Sequence, residues 1–389
     1  MSSSYSLVNS RSFGSNNWAL KLQPLQHGNN GLLTSLSNGE VHYLDPSTLT
    51  TIQKYNISET SINDLQLINH NPTSSPLFTT ATSNSVKIFD IHSTKEVATI
   101  HSQGNVPFPS LDSRHGLLAC GTELKGVDAA IYIYDIRKWD QPVRSLVDSH
   151  HDDVTCLKWH PNDPNILLSG STDGYTNVYD LSEAEEEDSL HQVINFASIH
   201  SCGWLSPRRI FTLSHMETFA IHELNDKSDT LKEPQPIDMG DVREKWGCDY
   251  VVDVYPGFIA TGKSQERQGE LKLIPLQDET IDLTNSIVIP GAHDDEVIRD
   301  VYIPSHDSVM MYTCGEDGNV KLWKNNNGPL NVPEQLWDYS KRVNMLEDTL
   351  LAPSEVVTAG EVKQSQEPDT KEKKHKKKKR DHKQRYKPY

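Results

Sequence analysis

Two sets of residues in the chain have the types that hydrolytic chemistry uses. The first is His150, Ser169, Asp173 and Tyr179; the second, in the same order, is His293, Thr313, Asp317 and Trp323. A hydroxyl, an imidazole and a carboxylate are the parts of a nucleophile, its base and the group that orients the base. Such a set works only when the nucleophile stands on a strained turn of the Gly-x-Ser-x-Gly kind beside an oxyanion-hole loop. Neither accompanies these residues. No Gly-x-Gly-x-x-Gly, phosphate-binding loop, His-Glu-x-x-His or kinase pattern occurs either. The expectation is a chain without catalysis and without a cofactor.

Charge offers the other chemistry. Asp152 and Asp153 follow His151, and Asp294, Asp295 and Glu296 follow His293 at the same phase. A histidine beside carboxylates suits a metal, but short acidic loops next to a structural histidine are commonplace. An acidic rim that attracts Lys/Arg-rich segments is the stronger functional reading, with a solvated loop the bland alternative. Residues 183–188, Glu-Ala-Glu-Glu-Glu-Asp, either add to that surface or only solubilise a loop. The far end is opposite in sign. Residues 371–389 hold eleven Lys or Arg against two acids, leaving 26 basic against 52 acidic side chains in the rest. Lys373, Lys374, Lys376, Lys377, Lys378, Lys379 and Arg380 form a run of the kind read by an import receptor or by nucleic acid. Tyr386 and Tyr389 would add base stacking to an RNA contact.

These residues must be positioned by strands. Residues 291–324 alternate apolar and polar side chains, turn at Asp317-Gly318 and close on Trp323-Lys324, which is a block of antiparallel strands. Similar closing pentads end at Asp45, Asp90, Asp135, Asp180, Glu223, Pro275 and Lys324, separated by 45, 45, 45, 43, 52 and 49 residues. A period near 40–45 residues with a Trp-Asp-like close marks a propeller blade, so seven anchors predict seven blades. One such sheet has two apolar faces and covers them only by stacking on its neighbours in a ring. Ring closure needs a strand from a chain end, and both 5–13 and 335–339 qualify. The fourth and seventh repeats are complete, and the first has an acceptable turn at Ser37-Asn38-Gly39. The second, third, fifth and sixth lack the histidine and most of the Asp-Gly punctuation. The sixth is longest, with residues 263–270 expected to form a long mobile hairpin.

The chain has 389 residues, and no run of about 18 apolar ones, so a transmembrane helix is not expected. The first fifteen residues lack the apolar stretch of a signal peptide. Cys120, Cys156, Cys202, Cys248 and Cys314 are odd in number and far apart, with no Cys-x-x-Cys pair, which argues against a disulfide frame or zinc site. A reduced intracellular protein is expected.

The repeats at residues 150–180 and 291–324 resemble the WD40 repeat. Together with residues 241–250 and the Lys-rich end, they make the chain most similar to the WD-repeat-containing protein 89 family, over residues 15–340. The resemblance implies an all-β, seven-bladed WD40 β-propeller with a disordered Lys-rich tail. It also implies that each His–Ser/Thr–Asp–Trp set is a structural hydrogen-bond tetrad, with Tyr179 replacing Trp in the fourth repeat. The organisation expected is an N-terminal segment 1–14 that offers one of the two candidate ring-closing strands, a propeller over 15–345, a linker over 346–370 and a basic tail over 371–389. The function expected is a monomeric, non-catalytic scaffold in the nucleus, including the nucleolus, with a cytoplasmic pool allowed. Its partners would be proteins with basic segments, in chromatin or ribosome assembly, and an import receptor. The alternative is an RNA-associated factor in ribosome biogenesis or RNA processing, working through the tail.

Overall fold

The third strand of every repeat carries the period seen in the sequence. In the computed structural model, which describes residues 4–25, 31–68, 76–102, 104–227, 235–264, 269–277, 279–330 and 345–346, seven antiparallel sheets follow one another along the chain. Each is an up-and-down blade. The first, for example, runs Ala19–Leu25, Gly31–Leu36, Glu40–Leu44 and Thr51–Asn56 from the inside outward. The protein is an all-β, seven-bladed β-propeller.

Its core lies between blades. One cluster packs Leu22, Leu32, Leu36 and Leu44 of the first blade against Tyr312, Cys314, Val320 and Leu322 of the seventh. Another packs Val41 and Tyr55 of the first against Phe78 and Phe89 of the second. Each fully buried aliphatic side chain contributes about 1.5–3 kcal/mol, and in these clusters part of that burial is supplied by the neighbouring blade. This is why a single repeat cannot fold alone.

Ring closure is settled by the N-terminal segment. Tyr5–Ser12 pairs antiparallel with Asn319–Asn325, from Tyr5↔Asn325 to Ser12↔Asn319, with one bulge between Leu7 and Asn9. The seventh blade therefore owns three local strands and borrows its outermost from the start of the chain. The other candidate, residues 335–339, lies outside the described residues.

Turn chemistry follows the punctuation. Gly39, Gly174 and Gly318 sit at φ of 82°, 91° and 73°, the left-handed region that glycine adopts without cost. At Gly318 a side chain would also meet the Gly14 carbonyl, 2.3 Å from an added Cβ. The fifth blade places Glu217 there instead, at φ 58°, and its carboxylate accepts the Val251 N–H at 2.9 Å. The extra length before the sixth closing pentad goes into the connection between the third and fourth strands of the fifth blade, Thr218–Glu223 and Ile237–Asp241, and into the short helix Arg243–Trp246. The middle hairpin of the sixth blade closes on the pair Lys263↔Glu270. Residues 265–268 of the expected mobile loop lie outside the described residues.

Within a blade the strands alternate direction. Loops entering the innermost strand, and those joining second to third strands, share one face, here called upper; the remaining loops form the lower face.

Candidate functional site

The seventh repeat shows what its His, Thr, Asp and Trp do. His293 Nδ1 donates to Asp317 Oδ1 at 2.7 Å, and its Nε2 accepts from Thr313 Oγ1 at 2.7 Å. Trp323 Nε1 donates to the same Thr313 oxygen at 2.9 Å. Asp317 also accepts from Asn319 Nδ2 at 2.7 Å and pairs with Lys321 at 3.0 Å. Every polar group has a partner, and Thr313 is fully buried. A threonine already held by two neighbours and shut off from solvent is no nucleophile. Burial lifts the Asp317 carboxyl, but His293, Asn319 and Lys321 outweigh it and hold the group well below the carboxylate range. The fourth repeat repeats the arrangement more loosely. His150 lies 2.9 Å from Asp173 and 2.7 Å from Ser169, while the Tyr179 hydroxyl stands 3.4 Å from Ser169 Oγ.

A second tie recurs in four blades, two of them incomplete. The second residue of the closing pentad is Lys87 in the second blade, Lys272 in the sixth and Lys321 in the seventh. Each ammonium donates to a backbone carbonyl of the loop entering its own blade: Ile57, Trp246 and Ala292, all at 2.8 Å. Asn177 makes the matching bond to Ser149 at 3.0 Å. The tie stands in place of the histidine in the second and sixth blades and beside it in the fourth and seventh.

The channel holds residues that sequence reasoning missed. Asp64, Asp112 and Asp300 stand on innermost strands and reach across to the next blade. Their carboxylates accept the N–H groups of Leu111 at 2.8 Å, Trp159 at 2.6 Å and Leu22 at 2.9 Å. Asp253 accepts from Ser201 of the fifth blade at 2.8 Å, and the Tyr255 hydroxyl donates to Asp300 at 2.7 Å. The signal was present: Asp-Val-Tyr recurs at 253–255 and 300–302, an acid inside two apolar strands. Lys21 and Lys158 stand among these acids. Burial alone would push both ammonium groups toward the neutral form, but Asp64 and Asp300 around Lys21, and Cys156 and Asp112 around Lys158, reverse that and keep both charged. The channel widens to a cavity of about 620 Å³ at the lower face and about 440 Å³ at the upper. Its carboxylates are occupied in joining blades, and among the described residues no cluster of three or more His, Cys, Asp or Glu is arranged to hold a metal.

The two acidic loops are not equivalent. Asp153 Oδ1 accepts the Leu124 N–H at 2.7 Å, and Asp152 Oδ1 accepts that of Asp153 at 2.9 Å. These two carboxylates shape the loop. Asp294, Asp295 and Glu296 are exposed, with Asp294 at φ 52°. They share the upper face with exposed apolar side chains: Trp18, Leu124, Val127, Tyr175 and Met216. Residues 183–188 join third to fourth strand and lie on the lower face, so they do not extend the upper acidic rim. Glu186 there accepts the N–H groups of Val147 at 2.7 Å and Asp148 at 2.9 Å, clasping the third blade to the fourth. On the same face Met345 and Leu346 are buried, although the expected linker begins at 346. The Met345 N–H donates to Asp163 Oδ2 at 3.0 Å, and the Lys227 N–H to the Leu346 carbonyl at 3.4 Å. The basic tail, Lys373 to Arg380 included, lies outside the described residues.

Comparison with known proteins follows the same lines. The family described as WD domain, G-beta repeat, matches residues 140–180 and 285–324, the fourth and seventh blades. The chain is 67% identical over 345 residues to an uncharacterized WD repeat-containing protein of Saccharomyces cerevisiae, covering 89% of this chain and 88% of that one. A second such protein, from Schizosaccharomyces pombe, is 27% identical over 75% of this chain and 92% of its own. The WD repeat-containing protein 89 homolog of Dictyostelium discoideum is 27% identical over 78% of this chain and 82% of its own.

Proposed function

The chain belongs to the WD repeat-containing proteins, and from that membership we propose that it is a non-catalytic scaffold whose upper face binds a basic, partly apolar segment of another protein. One observation carries this reading. Asp294, Asp295 and Glu296 stand exposed on the face that also exposes Trp18, Val127, Tyr175 and Met216. Exposed apolar side chains beside a cluster of like charge mark a surface for a partner of the opposite sign, although Lys125 and Arg299 stand on the same face. Proteins of chromatin and ribosome assembly are rich in such segments, and the nucleus is where the scaffold meets them. The test is co-purification from the native cell. Replacing Asp294, Asp295 and Glu296 by Lys is expected to abolish recovery of the principal partner while leaving the unfolding midpoint unchanged. Unchanged recovery overturns the reading. Asp152 and Asp153 are left intact, because their carboxylates hold backbone.

The eleven basic residues of the tail favour a second role. Lys373 to Arg380 serve as the import signal, and deleting them is expected to move the protein to the cytoplasm. A contact between tail and RNA is separable: crosslinked RNA recovery should fall for a chain ending at residue 370, and equal recovery removes the tail from RNA binding.

A further inference from the structure

Five cysteines are buried, and two of them meet. Cys156 stands on the innermost strand of the fourth blade, Val154–Trp159, and Cys202 on that of the fifth, Ile199–Ser206. Cys156 Sγ lies 3.3 Å from the Cys202 carbonyl oxygen and 3.5 Å from its amide nitrogen. The Cys202 sulfur points back toward the fourth blade. It packs over Gly170, the cross-strand partner of Cys156, where an added Cβ would stand 3.0 Å from it. The Cys156 sulfur thus sits against the Cys202 backbone, donating to its carbonyl and accepting from its amide. A disulfide needs two cysteines on neighbouring backbones with their sulfurs turned toward each other, and here the Cys156 sulfur touches the Cys202 backbone while the Cys202 sulfur turns toward the strand paired with Cys156.

Access and activation are present as well. Cys156 lines the cavity at the upper mouth of the channel, beside Lys158. The hydrogen bond from Cys202 and, against burial, the Lys158 ammonium favour its thiolate, the form that reacts. Cys120 and Cys314 have no such setting; burial pushes both thiols far up.

We infer that Cys156 and Cys202 form a peroxide-reactive dithiol that closes to a disulfide between the fourth and fifth blades. In the first step the Cys156 thiolate attacks one oxygen of hydrogen peroxide. An S–O bond forms, the O–O bond breaks, and the departing hydroxide takes a proton to become water. Sulfur is oxidised by two electrons and peroxide reduced by two. In the second step the Cys202 sulfur attacks the sulfenic sulfur; S–S forms, S–O breaks, and hydroxide leaves with the Cys202 proton as a second water. Two thiols and one peroxide give one disulfide and two waters.

The test uses the full chain, folded and reduced, exposed to a few equivalents of hydrogen peroxide. Remaining thiols are alkylated in denaturant and the protein is digested without reduction. The expected result is loss of two of the five thiols, with a single cross-linked species joining the Cys156 and Cys202 peptides that reduction releases. Cys120, Cys248 and Cys314 should be recovered alkylated. A Cys202→Ala variant should stop at the sulfenic acid, trapped on Cys156 by dimedone. Separate alkylated peptides for Cys156 and Cys202 after oxidation overturn the inference. So does overoxidation of Cys156 with Cys202 still free, since a true partner thiol would intercept the sulfenic acid first. The wild-type peptide map decides the matter without relying on the variant's folding.

Discussion

At the scale of single residues, the histidines of this propeller act through protons they do not carry. His160 Nδ1 accepts the N–H groups of Asn162 at 3.2 Å and Asp163 at 2.9 Å, so its proton sits on Nε2, which donates to the Pro207 carbonyl at 3.0 Å. Protonating Nδ1 would break two bonds. Burial, chiefly, brings the pKa of His160 and of His222 down to about 4. In the unfolded chain each titrates near 6.5. Between those values the unfolded chain binds protons that the native one refuses, so stability is full above pH 6.5 and falls as pH drops toward 4. The loss at pH 5 is about 2 kcal/mol per histidine. Urea unfolding at pH 7 and pH 5 should show it, and His160→Asn should flatten the dependence; an unchanged slope would refute the assignment. The tetrad makes a second expectation. Asp317→Ala leaves the His293 N–H, Asn319 and Lys321 without their acceptor and should cost about 3–5 kcal/mol. Thr313→Val should cost less, about 1–3 kcal/mol, because only neutral partners are stranded. Equal costs for the two variants would mean that the carboxylate is not the centre of the network.

At the scale of the element, the first strand is the piece whose contribution is easiest to isolate. Tyr5–Ser12 makes its ladder only with Asn319–Asn325, more than 300 positions away, and most of its side chains are exposed. Its contribution is backbone pairing plus Tyr5, which packs into the cluster of Ile298, Met311 and Trp323. Deleting residues 1–12 is expected to leave the sheet of the seventh blade with an open edge. Amide exchange should then lose protection along Asn319–Asn325 first, while the third and fourth blades keep theirs. Uniform loss across all blades would instead show that the ring unfolds as one unit.

For the whole molecule, the chain end matters more than its composition suggests. Met345 and Leu346 are buried against the lower face, where Asp163, itself buried, takes the Met345 N–H. A chain ending at residue 348 keeps that contact and one ending at 344 loses it. The shorter chain should unfold at lower urea, with a loss of about 2–5 kcal/mol for two apolar side chains. Equal midpoints would show the contact to be without consequence. Placement on faces also reorganises the acidic character of the body. Residues 183–188 and 294–296 are both acidic, yet lie on opposite faces, so no single partner segment spans them without crossing the rim.

Much of the fold was legible because a blade is a local object. Strand alternation, Asp-Gly turns and the spacing of His293, Thr313, Asp317 and Trp323 all act within about forty residues, so the period alone determines the number of blades and the tetrads' members. What only the tertiary structure decided are contacts made between blades or between chain ends. These include the choice of Tyr5–Ser12 to close the ring, and the reach of Asp64, Asp112 and Asp300 to the next blade's amides. They include the burial of Met345 and Leu346, the bond from the Leu124 amide to Asp153, and the meeting of Cys156 with Cys202. The physical reason is common to all of them. A strand pattern states which face of a residue is inward, but the neighbour on that side comes from another turn of the ring, tens or hundreds of positions away, and its identity exists only once the ring has closed.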